Sequence, residues 1–249
     1  IYMGDWSSDV CSSDLLEMGG KNALVILEDA DLDLAVECAI QGAFFSTGQR
    51  CTASSRLIVA DAIHDRFVTA MVHCMQRLVV GDALDERTQI GPLASAQQLE
   101  RTLHFAAVAA QEGGVVAEGA KVASAASPGY FLRPGLVVNT ASSMTINRNE
   151  VFGPLASVIR VGGYDEALYV TNETRFGLSA GICTRSLKYA EDFKQHAEVG
   201  MVTVNLPTAG VDYHVPFGGR KASSYGPREQ GQHAREFYTV VKTAYVKAA

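Results

Sequence analysis

From Leu16 onward, short runs of β-branched and aliphatic residues alternate with longer stretches in which apolar positions recur every three to four residues. The short runs predict strands at residues 23–27, 56–59, 136–138, 156–161, 180–184 and 201–205. The longer stretches predict helices at residues 32–45, 63–78, 94–111, 165–173 and 187–198. Asp31 and Asp61 or Ala62 stand where N-caps fall, and Gly48, Gly81 and Gly113 follow helical runs as terminators. Such alternation marks an α/β fold with a largely parallel sheet flanked by helices. Residues 228–238 predict one more helix, and residues 240–246 a terminal strand that needs a partner edge. The small-residue stretch at 123–129 reads as a surface loop.

Residues 1–15 share neither period. They lack the basic and apolar regions of a secretory signal, and Asp5, Asp9 and Asp14 carry the opposite charge. The run resembles the translation of a synthetic sequencing adapter, so it is set aside from fold reasoning together with Trp6 and Cys11. The expectation is a native sequence that starts near Leu16, inside a motif, as a truncated gene would give.

Composition narrows the function classes. With 47% hydrophobic residues over 249 positions, the chain can bury a substantial core. A formal net charge of -6 offers no basic footprint, so neither nucleic acid nor an anionic membrane is an expected partner. No apolar run approaches the roughly 18 residues of a membrane span. The five cysteines, at 11, 38, 51, 74 and 183, form no CxxC pair and no Cys–His cluster, which speaks against a bound metal. Their odd number in a long chain fits a reducing, cytoplasmic setting better than a disulfide framework.

Three segments carry candidate chemistry. In Gly48-Gln49-Arg50-Cys51-Thr52-Ala53 a thiol follows a glycine that ends a helix, with Arg50 before it and small residues after. Such a thiol is reachable, and nearby positive charge or backbone N–H groups would hold it as thiolate. The competing reading is a buried structural cysteine, the reading that suits Cys38, Cys74 and Cys183 in their apolar patterns. In Leu16-Glu17-Met18-Gly19-Gly20-Lys21 a carboxylate precedes two glycines that permit close backbone approach. Partial burial would raise its pKa towards that of a base; a solvated turn residue is the alternative. In Asn149-Glu150-Val151-Phe152-Gly153-Pro154 a carboxylate and an aromatic would share one side if the segment is extended, and otherwise form a loop. The glycines of Pro216-Phe217-Gly218-Gly219-Arg220-Lys221 match neither phosphate-loop fingerprint.

Taken together and in this order, these motifs resemble the aldehyde dehydrogenase superfamily from Leu16 to the C-terminus. The Glu-Leu-Gly-Gly-Lys-like motif carries Glu17, the Gly-Gln-x-Cys motif carries Cys51, and their 34-residue separation is the family's. Glu150 and Phe152 match a Glu-x-Phe-Gly-Pro motif; Asn172, the run Phe176-Gly177-Leu178-Ser179-Ala180 and Pro216-Phe217-Gly218-Gly219 match further segments. The resemblance implies Cys51 as nucleophile, Glu17 as the base that activates water, and Glu150 and Phe152 as contacts of a nicotinamide cofactor, NAD or NADP. It further implies that residues 16–30 end the dinucleotide-binding domain, 31–227 form the catalytic domain, and 228–249 supply a C-terminal helix and oligomerisation strand. The expected assembly is a homodimer or homotetramer. Residues 205–245 are most similar to 2-oxoglutarate semialdehyde dehydrogenases, which points to oxidation of that small-molecule semialdehyde to 2-oxoglutarate. Other semialdehyde or aromatic aldehyde dehydrogenases are the alternative.

Two other classes compete. One is a non-catalytic fragment or a module that keeps only the fold; in either case, because the family's first half has no counterpart here, the 249-residue chain is expected to bind nicotinamide cofactor poorly and to oxidise no aldehyde. A cysteine hydrolase would need a histidine partner. None of His64, His73, His104, His196, His214 and His233 is marked for that role, because they fall in helical patterns or peripheral loops.

Overall fold

The computed structural model describes residues 14–124 and 127–248. Most of the adapter-like run, with Trp6 and Cys11, therefore lies outside the described residues. The first half contains β1 (Leu16–Glu17), β2 (Asn22–Ile26), α1 (Leu32–Phe44), β3 (Ser54–Ala60), α2 (Asp61–Gln76) and α3 (Ala96–Gln111). Next come β4 (Val115–Glu118), β5 (Gly135–Thr140), α4 (Thr145–Arg148), β6 (Leu155–Val161) and α5 (Tyr164–Asn172). The chain finishes with β7 (Phe176–Gly177), β8 (Ser179–Cys183), α6 (Leu187–His196), β9 (Met201–Val204), β10 (Arg220–Lys221), β11 (Ser224–Tyr225) and α7 (Gly231–Tyr238).

Seven strands form one sheet in the order β4-β5-β6-β3-β2-β8-β9, and every neighbouring pair is parallel except β4 with β5. A parallel sheet needs cover on both faces. The period-two pleat meets that need directly: Leu24, Ile26, Leu57 and Val59 pack with Phe44, Phe67 and Met71 of α1 and α2. Val25 and Ile58 point the other way, onto Val170 of α5 and Phe193 of α6. Local capping agrees with the sequence, since Asp31 accepts the Leu34 N–H at 3.2 Å and starts α1. Two short antiparallel ladders, β1 with β11 and β10 with β7, pin later segments beside the sheet.

Several expectations need correction. Residues 22–26 form the strand between β3 and β8. Five consecutive buried residues require strand neighbours on both edges, and these lie in the remainder of the chain. The cap of α2 is Ala60, with Asp61 already inside the first turn. β4 was not foreseen; Val115 and Val116 are half exposed, so a two-valine run shows no buried face. Residues 240–246 form no strand. Val240, Val241, Tyr245 and Val246 are each more than 90% exposed, because no strand edge in this single chain meets them. Among the described residues no helix is long and apolar enough to cross a membrane.

Candidate functional site

The loop that carries Cys51 is shaped before the cysteine is reached. After α1, a 3₁₀ turn at Phe45–Gly48 places Ser46, Thr47 and Gly48 in the left-handed region, with φ of 54°, 58° and 62°. At Gly48 a side chain would run into the Gly153 carbonyl, so only glycine lets these two backbones meet. The chain then turns through Arg50 to Ala53, closed by the Ala53 N–H on the Arg50 carbonyl, and leaves Cys51 half-buried.

Buried polar side chains hold this loop to the sheet. Asn22 donates from Nδ2 to the carbonyls of Cys51 and Ala53, at 2.7 and 3.0 Å, and its Oδ1 accepts the Ser179 N–H. Thr208 Oγ1 donates to the Thr52 carbonyl at 2.7 Å, so the 2.6 Å contact between Ser54 Oγ and Thr208 Oγ1 is donated by Ser54. Arg56, fully buried, donates to the carbonyls of Lys21, Val170 and Thr171 and so locks the start of β2 to the end of α5. These groups satisfy backbone carbonyls that would otherwise be buried unpaired.

Glu17 reaches the same region from another ladder. β1 pairs Glu17 with Ser224, and Ser224 Oγ donates to Glu17 Oε2 at 2.7 Å. Glu17 Oε1 is buried without a hydrogen-bond partner among the described residues. Burial raises the Glu17 pKa and Glu229 adds to the rise, while the Ser224 hydroxyl and Arg228 oppose it.

Glu150 and Phe152 line a crevice together with Cys51. Glu150 Oε1 accepts the Gly20 N–H at 3.1 Å, and burial raises its pKa against the pull of that N–H, Lys21 and Arg101. Phe152 has φ of 57° and is 39% exposed. The segment is therefore a kinked loop, and the pairing of Glu150 with Phe152 on one side of an extended strand does not hold. Gly20, Cys51, Glu150 and Phe152 nevertheless line one small crevice.

The Cys51 thiol departs from expectation. Burial pushes its pKa up, and the carboxylates of Glu150 and Glu17 push it further, against the N–H groups of Thr52 and Cys51 itself. Arg50 supplies no compensating charge: its guanidinium donates to the Gln41 carbonyl at 2.7 Å instead. Burial and these carboxylates thus disfavour the thiolate at Cys51. Of the other cysteines, Cys38 and Cys183 are core residues, while Cys74 is only partly buried on α2.

The structure thus gathers Cys51, Glu17, Glu150 and Phe152 around one locus, and adds Asn22, Ser224 and Thr208, which sequence reasoning missed. Asn22 did carry a signal, as an amide that opens an otherwise apolar strand. Ser224 and Thr208 carried none, because their partners are 207 and 154 residues away. Among the described residues no group of three or more His, Cys, Asp or Glu is placed to hold a metal ion.

Comparison with known proteins gives this arrangement its context. An alpha-ketoglutaric semialdehyde dehydrogenase of Bacillus subtilis is 42% identical over 234 residues, which cover 93% of this chain and 48% of that protein. A betaine aldehyde dehydrogenase of Mesorhizobium japonicum is 37% identical over 93% of this chain and 48% of its own. The crystal structure of a Staphylococcus aureus betaine aldehyde dehydrogenase in complex with NAD+ superposes with a TM-score of 0.84 at 30% identity, over 90% of this chain and 44% of that one. The chain spans about half the length of the curated relatives it matches. The family model described as "Aldehyde dehydrogenase family" matches residues 7–244, beginning within the run read as adapter-like. The chain belongs to the aldehyde dehydrogenase family.

Proposed function

We propose that the complete protein carrying this sequence oxidises an aldehyde to a carboxylic acid with NAD or NADP, and that its substrate is 2-oxoglutarate semialdehyde. The observation that carries this reading is a half-buried thiol whose pKa feels the charge of Glu17, a carboxylate whose Oε1 is buried with no partner among the described residues. Cys51 attacks the aldehyde carbon and loses its proton to a base; the two carboxylates that raise its pKa are the bases at hand. A bound nicotinamide supplies the hydride acceptor through which the Cys51 adduct becomes a thioester. Glu17 Oε1 then takes a proton from water, which hydrolyses the thioester, releases the acid and restores the thiol.

The residues present fit such a cofactor. Glu150 keeps Oε2 free of hydrogen bonds among the described residues, as a ribose hydroxyl would need, and Phe152 offers an exposed ring beside the thiol. The S. aureus structure that superposes on this chain holds NAD+. The substrate rests on the likeness of residues 205–245 to 2-oxoglutarate semialdehyde dehydrogenases and on the name of the B. subtilis relative. The exposed run at 240–246 supports assembly into a homodimer or homotetramer, in which a second copy would provide its missing edge.

The test compares kcat/KM of the complete protein for 2,5-dioxopentanoate, succinate semialdehyde, betaine aldehyde and benzaldehyde. The semialdehyde with the distal 2-oxo acid should lead. If betaine aldehyde leads, the substrate proposal fails and the oxidation reading stands. If Glu17→Gln hydrolyses its thioester at the unaltered rate, the role of Glu17 fails.

A further inference from the structure

We propose that Ser224 is a positioning residue for the base: its hydroxyl fixes one oxygen of Glu17 so that the other is presented bare to the water that attacks the Cys51 thioester. The inference rests on the role proposed for Glu17 above and adds a residue to which no motif gave a role.

Glu17 and Ser224 are directly opposed in the β1–β11 ladder, and β-carbons of opposed antiparallel residues lie roughly 5 Å apart. A short hydroxyl side chain closes that gap to a carboxylate. The polarity of the contact is set from behind. The Gly219 N–H donates to Ser224 Oγ at 2.6 Å, which leaves the single hydroxyl proton to point at Glu17 Oε2, 2.7 Å away. Gly219 is itself held, because Arg228 Nη1 donates to its carbonyl at 2.5 Å. At Gly218, with φ of 150°, a β-carbon would press on the Arg228 side chain and on Glu17 Oε1. The glycine pair that resembles no phosphate loop thus backs the hydroxyl that orients the carboxylate.

The consequence is a division of labour between two oxygens. Oε2 is spent on Ser224, and Oε1 is buried with no partner among the described residues, so it alone keeps its lone pairs for a proton. The charged groups that act on Glu17 are Glu229, which disfavours its ionisation, and Arg228, which favours it; Cys51 is the titratable group across the site. Of the two influences that oppose burial, the Ser224 hydrogen bond is the larger.

The step can be read without cofactor. p-Nitrophenyl acetate acylates Cys51: the sulfur bonds the acetyl carbon, p-nitrophenolate leaves, and the thiol proton passes to solvent. Water then cleaves the thioester, giving acetate and the free thiol. Intact-protein mass spectrometry of the 249-residue chain follows loss of the acetyl group against pH. In Ser224→Ala the acidic limb of that profile should move up by about one pH unit, and Ser224→Thr should restore it. A ¹³C NMR titration of Glu17 should move in the same direction. Ser224→Thr and Ser224→Val, alike in shape but not in hydrogen bonding, repeat the comparison if the alanine chain does not fold. Coincident limbs for the hydroxyl-bearing and hydroxyl-free chains, with Glu17→Gln still abolishing the limb, overturn the role of Ser224 alone. Unaltered hydrolysis in Glu17→Gln overturns the reading of Glu17, and this inference with it.

Discussion

The Asn22 side chain holds the Cys51 carbonyl at 2.7 Å while its other end accepts the Ser179 N–H, so one buried amide ties the cysteine loop to two strands. Asn22→Ala removes that tie and leaves the carbonyls of Cys51 and Ala53 and the Ser179 N–H without their partner. Each unsatisfied buried group costs about 1–3 kcal/mol, so a loss of about 3 kcal/mol is expected. Denaturant unfolding should show a lower midpoint with an unchanged slope.

Because burial, Glu150 and Glu17 all raise the Cys51 pKa, iodoacetamide should alkylate Cys51 in the free chain with a midpoint above that of the unfolded chain. Neutralising either carboxylate removes a repulsion on the thiolate, so the midpoint should fall. Glu150→Gln should lower it more than Glu17→Gln, in the order of their influence. Peptide mapping at low conversion should find Cys51 ahead of the buried Cys38 and Cys183. A wild-type midpoint below the unfolded value contradicts this account.

Gly19 has φ of 87°, and a β-carbon there would lie 2.5 Å from Glu150 Oε2. Gly19→Ala should cost about 1–3 kcal/mol in backbone strain. It should also displace the Glu150 carboxylate, so the alkylation midpoint of Cys51 should fall as it does in Glu150→Gln. Thermal unfolding and the alkylation profile together separate the two effects.

Lys21 is fully buried, and its Nζ has no partner among the described residues. Burial and the neighbouring Arg56 lower its pKa from 10.5 to about 7, against the pull of Glu150. Between these values the unfolded chain binds a proton that the folded chain does not, so stability should rise with pH across that window. Below it, both states are protonated and the folded state carries the full cost of a buried charge. Lys21→Met should flatten the rise and stabilise the protein near neutral pH. Guanidinium unfolding of both chains at the two ends of the window measures the difference; equal slopes would refute it.

What the sequence determined by itself was local in origin. The apolar periods located six strands of the central sheet and its main helices to within a few residues, because period and capping act over one or two turns. The motifs also named Glu17, Cys51, Glu150 and Phe152, since each motif keeps its residue beside the glycines that shape its own loop. The order of the strands, the place of β2 inside the sheet, and the partners of Glu17 lay beyond that reach. Glu17 meets Ser224 across 207 residues and Gly20 meets Glu150 across 130, separations at which no local period records a contact. The pull on the Cys51 pKa arises the same way: Arg50 adjoins it in sequence but bonds elsewhere, whereas burial and the carboxylates of Glu150 and Glu17, distant in sequence, raise it. Electrostatics depends on distance through space and on desolvation, and both are quantities that exist only once the chain has packed.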